Sequence, residues 1–161
     1  MADGWFARVN AVLAVAATHR ERIGAALTHL QRQLPQTGGE LAYARYETLA
    51  SAELLMSRFA KLQDHLGTQL VPLAVQLTVE PLPQTSTFLD RILRLEQLGA
   101  IASAAEFRRL REIRNDLAHD YPDDPDEAVA GLHQVVAAVP ALLALEGSLR
   151  HYIVSNLAKL K

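Results

Sequence analysis

The sequence predicts an all-α fold, an up-and-down bundle of about five helices, on three observations. Apolar residues recur three and four apart along five segments, which is the period of an amphipathic helix. No stretch alternates apolar and polar residues over a useful length. Short links carrying Pro or Gly separate the segments. At 161 residues, half of them hydrophobic, the chain suits a single domain, 1–161, around one core.

The first helix runs from Trp5 to about Leu34, with Val9, Val12, Leu13, Ala16, Ile23, Leu27 and Leu30 on its stripe, and Pro35 and Gly38-Gly39 end it. A second, longer stripe runs from Tyr43 and Tyr46 through Leu55, Phe59, Leu62, Leu66 and Leu70 to Leu77, with a bend expected near Gly67 or Pro72. Pro81 and Pro83 stop it. Thr85 or Thr87 caps a short third helix that closes at Gly99. Ser103 followed by Glu106 reads as a capping box opening the fourth, whose stripe is Phe107, Leu110, Ile113 and Leu117. Asp124 as N-cap, Pro125 in the first turn and Glu127 launch the fifth, which Pro140 is expected to kink or split.

A formal net charge of −2 leaves no global field to attract nucleic acid or membrane, so any affinity for phosphate must be local. One local source is the window 106–114, where four arginines face two glutamates. The absence of cysteine excludes disulfides and thiolate metal sites and fits a reducing compartment, so a cytoplasmic location is expected. The apolar run 11–17 is too short and too weakly flanked by cations for a signal-peptide core. No stretch is read as approaching the ~18 uninterrupted apolar residues of a membrane span.

The chemistry concentrates in Arg114-Asn115-Asp116-Leu117-Ala118-His119-Asp120-Tyr121, at the end of the fourth helix. Arg offers a permanent, forked cation suited to phosphate, and His exchanges protons near neutrality. Five residues at about 100° each set Arg114 and His119 about 140° apart on a regular helix. Arg114 then sits at the edge of the apolar stripe, and His119 faces away from it with Asn115 and Glu112. Bringing the two together around one ligand requires the helix to unwind near residue 118, or a second copy of the chain. The plainer explanation is that cations suit a helix C-terminus and that Asp-Tyr-Pro is turn material.

The string LREIRNDLAHDYPDDPDEA resembles the Arg-x4-His signature of HEPN-domain proteins, and in particular the HepT-like subset with a Tyr two residues after the His. The pattern falls on Arg114, Asn115, His119 and Tyr121. SRFAKLQDHLG and FLDRILRLEQLG look similar too, so the resemblance extends from about Glu47 to Val136. It implies a HEPN-like helical homodimer with two motifs facing across a cleft, acting as a metal-independent endoribonuclease, or an inactive RNA-binding relative. HepT-like proteins resemble toxins whose partner, an MNT-type nucleotidyltransferase antitoxin, silences them by attaching AMP to the motif Tyr, and a higher oligomer with that antitoxin is compatible. Neither DNA nor a cofactor is implied.

On this reading His119 carries the proton, Arg114 clamps the phosphate, Asn115 positions substrate or imidazole, and Arg111 lies on the RNA-facing rim. Tyr121 is the modification site. A second reading is a non-catalytic helical subunit that presents a substrate or nucleotide to the transferase. His19, His29, His65, His133 and His151 lack metal-ligand spacing, and no metal is expected. Asp64 and His65 read as helix surface or interface, and Trp5, Met56 and Phe59 as core. Asp120, Asp123, Asp124 and Asp126 lack the Gly and terminal Glu of a calcium loop and read as capping residues.

Overall fold

A computed structural model describes residues 2–80, 82–118 and 123–159, and the described residues are helical with no strand among them. Helix α1 spans Ala2–Gln33, the one-turn α2 Gly38–Ala42, α3 Tyr46–His65, α4 Val71–Gln76, α5 Phe88–Gln97, α6 Ala104–Ala118 and α7 Pro125–Ala158. A π turn, Leu66–Leu70, joins α3 to α4, so the expected second helix forms as one continuous rod with a π-helical break. The break sits where the bend was expected. Pro72 has no N–H for the helical ladder, and the register shifts just before it, the Val71 N–H reaching back to the Leu66 carbonyl.

Gly38-Gly39, expected only to end the first helix, instead opens a short helix of its own, α2. The Thr37 hydroxyl caps it by accepting from the Glu40 N–H, and the Gly38 N–H donates to Asp126 Oδ1 of α7 at 2.6 Å. A Cβ on Gly38 would lie 2.7 Å from the Asp126 backbone nitrogen, so only glycine lets the chain approach so closely. Asp126, expected to cap, thus ties down another helix, while Asp124 caps its own by accepting from the Asp126 N–H.

Thr87, and not Thr85, caps α5 in a complete capping box with Asp90. Gly99 closes α5 with φ +69, and the bonds Gly99 N–H to Glu96 O and Ala100 N–H to Leu95 O make a Schellman turn. Of the box expected at α6, Ser103 makes its half by accepting from the Glu106 N–H, while the Glu106 carboxylate turns to Arg109 at 2.7 Å. Pro140 does not split α7, which continues over 34 residues. Pro140 lies on the exposed side, so the carbonyl it deprives of a partner, one turn back, can take water instead.

Helix α1 packs chiefly on α3, and α6 packs on both α3 and α7. The pairing of His19 with Arg58 and of His65 with Val12 shows that α1 and α3 run antiparallel. Arg150 reaching the Leu13 carbonyl and Arg20 the Leu143 carbonyl show the same for α1 and α7. The core contains Leu30, Phe59, Leu66, Phe107, Leu110 and Leu142, all inaccessible to water, with Trp5 and Met56 at its margin. By length and composition α7 is apolar enough to cross a membrane, although polar residues interrupt its apolar run. In the fold its inner stripe packs in the core, and its buried Glu146 is held by Arg20 at 2.8 Å and Arg150 at 2.5 Å.

Candidate functional site

Helix α6 presents its residues as its periodicity requires. Phe107, Leu110 and Ile113 are buried and Leu117 half-buried, while Glu112 and Asn115 are exposed. Arg114 stands at the edge of this stripe with its side chain 30% exposed. His119 and Tyr121, with Asp120 and Pro122, lie outside the described residues.

The Arg114 guanidinium is fixed from two directions. Its Nη2 donates to Asp64 Oδ2 of α3 at 2.6 Å, and its Nη1 to Asn115 Oδ1 at 3.1 Å. Among the described residues no hydrogen bond engages its Nε–H or its other Nη hydrogens, which are the donors an anion arriving from solvent would meet. Asp64, read from sequence as helix surface or interface, is the charge that orients Arg114. It stands two residues before the π segment, and its carbonyl accepts from the Thr68 hydroxyl at 2.8 Å. No local pattern announces such a pair, because its members come from different helices.

On one flank of α6, Arg108, Arg111 and Asn115 share with Phe88 of α5 a shallow depression of about 420 Å³. The Arg111 guanidinium carbon lies 4.8 Å from the centroid of the Phe88 ring, which meets Phe107 edge-on at 5.4 Å. Arg111 and Asn115, both assigned to substrate from sequence, thus border the same hollow. Arg109 is spent on Glu106, whose carboxyl it holds below the usual glutamate range.

On the other flank a groove of about 660 Å³ lies between α2, α3, the end of α6 and the start of α7. Leu41, Leu49, Met56, Leu117 and Leu132 give it apolar walls, and Glu53, Asp116 and Glu127 stand at its edges. The groove has no signature in the sequence, because its wall is assembled from four helices, α2 and α3 being distant along the chain from α6 and α7. No protein-family model matches this chain, and comparison with curated proteins and with solved structures finds no match.

The remaining histidines are placed individually. His65 Nε2 donates to the Val12 carbonyl at 2.9 Å and His133 Nε2 to the Pro35 carbonyl at 2.7 Å, so both join helices. His19 Nδ1 faces Arg58 Nη1 at 3.2 Å. Partial burial, then the cations Arg58, His65 and Lys61, push the His19 imidazole below its ordinary pKa. His29 buries an Nε2 that has no hydrogen-bond partner among the described residues, and His151 is exposed. Among the described residues no three His, Asp or Glu side chains are grouped to hold a metal ion.

Proposed function

We propose that this chain is a HEPN-like, HepT-like toxin: a cytoplasmic, metal-independent endoribonuclease, active as a homodimer and neutralised when a cognate MNT-type nucleotidyltransferase attaches AMP to Tyr121. The observation that carries the reading is the anchoring of Arg114 by Asp64 and Asn115 at the end of α6, five residues before His119. A guanidinium locked at two points and open to solvent meets an incoming phosphate without first losing rotamer freedom. The Arg111 and Asn115 hollow supports it further, as a place for a neighbouring nucleotide beside a cation.

The chemistry needs three things. The ribose 2′-hydroxyl gives up a proton, the departing 5′-oxygen gains one, and fixed donors meet the charge on the phosphorane. His119 moves the protons, with the two copies in a dimer dividing base and acid roles. Arg114 holds a non-bridging phosphate oxygen, and the Asn115 amide N–H groups position ribose or phosphate. An AMP group on Tyr121 would add bulk and negative charge beside this centre and repel RNA.

The alternative, a non-catalytic subunit serving the transferase, draws on the apolar, acid-edged groove, which suits a protein better than an RNA backbone. Purified chain separates the two. On the ribonuclease reading it cuts RNA in excess chelator, and Arg114→Ala or His119→Ala abolishes cutting while circular dichroism and dimer mass stay unchanged. Cutting that survives both substitutions removes the catalytic assignment.

A further inference from the structure

We propose that the groove between α3 and the start of α7 is a docking site for a basic amphipathic helix of another protein. The inference goes beyond the ribonuclease reading and does not depend on it.

The shape comes first. Leu49 and Met56 lie two turns apart on α3, and Glu127 and Gln134 span the same length on α7. The trough is therefore about 10 Å long, enough for anchors at i, i+3 or i+4, and i+7 of a single docked helix. Gly131 on α7 lines it, and among the described residues a Cβ there would meet nothing within 4 Å. Glycine inside a helix costs about 0.5–1 kcal/mol relative to alanine. No close neighbour demands it here, and what its missing side chain preserves is the opening of the trough.

The charge decides the occupant. Glu53, Asp116 and Glu127 are exposed at the edges, and among the described residues no Lys, Arg or His lines the groove. Apolar anchors flanked by Lys or Arg complement this arrangement, whereas an acidic segment or a phosphate chain meets three carboxylates. Tyr43 and Tyr46, 92% and 81% exposed, flank the α2–α3 corner beside Leu41 and Leu49. These exposed aromatic side chains, near in sequence to two residues of the trough, are of the type enriched in protein interfaces.

The test is calorimetric titration of the full chain with two helical peptides of equal length. One is built of leucine and lysine at heptad spacing, and the other carries glutamate at every lysine position. The lysine peptide is expected to bind, more weakly as salt is raised, and the glutamate peptide at least about tenfold more weakly. Gly131→Leu fills the trough and favours the helix, so it should weaken binding by about tenfold or more without lowering the melting temperature. Glu53→Lys combined with Glu127→Lys should do the same through charge. No binding of the lysine peptide, equal binding of both peptides, or binding untouched by these variants overturns the proposal. It also fails if sedimentation shows a wild-type dimer that Gly131→Leu dissociates, because the occupant is then a second copy.

Discussion

Arg114 and Asp64, on α6 and α3, meet with Nη2 2.6 Å from Oδ2, and this contact sets the direction of the cation at the end of α6. The pair is 30% and 47% exposed, so its worth to stability is at most about 1 kcal/mol. Its effect is on orientation. Asp64→Ala should leave the unfolding midpoint nearly unchanged and cut the rate of RNA cleavage by about tenfold or more, with partial rescue by Asp64→Glu. Kinetics beside urea denaturation read this out, and an unchanged rate would separate Asp64 from the function.

Glu146 poses a different electrostatic problem. Its carboxylate is buried, while Arg20 and Arg150 remain 47% and 34% exposed. Removing both arginines strands a charge in the core and should cost roughly 3–5 kcal/mol. Glu146→Gln should cost less, because the arginines it releases can turn to water. Urea denaturation of the two variants gives the order, and a larger loss for Glu146→Gln would contradict it.

Two glycines should respond in opposite directions. Gly38→Ala pushes a methyl against the α7 backbone and should destabilise by about 1–3 kcal/mol. Gly131→Ala meets nothing and should stabilise by about 0.5–1 kcal/mol. Thermal melts of the two variants check both signs.

Acid should weaken the α1–α3 contact through His19. Its folded-state pKa lies below the ordinary 6.5, chiefly through burial and then through Arg58, His65 and Lys61. The unfolded chain therefore takes up this proton first. Stability on this account is full above 6.5 and falls as pH drops through 6.5 towards the folded value. His19→Gln should flatten that part of the pH profile, and an NMR titration of the wild-type imidazole should give a midpoint below 6.5.

The sequence carried the fold wherever one helix decides its own fate. Apolar spacing located the long rods, and Asp124 and Gly99 ended or began helices as local rules require. It failed where distant residues decide. Helix α2, capped locally by Thr37, is held in place by Asp126 of α7 receiving the Gly38 N–H, and α7 passes Pro140 because the ring faces solvent. The site divides the same way. The edge position of Arg114 followed from periodicity, whereas its anchor Asp64, the stacking of Arg111 on Phe88 and the groove are tertiary facts without local pattern.

The central claim is that Arg114 and His119 cleave RNA by attack of the 2′-hydroxyl. Mapping the ends of RNA incubated with purified chain in excess chelator tests it most directly. The expected products carry 5′-hydroxyl and 2′,3′-cyclic phosphate ends and vanish with Arg114→Ala or His119→Ala. Intact RNA, or 5′-phosphate ends that persist in both variants, would contradict the account.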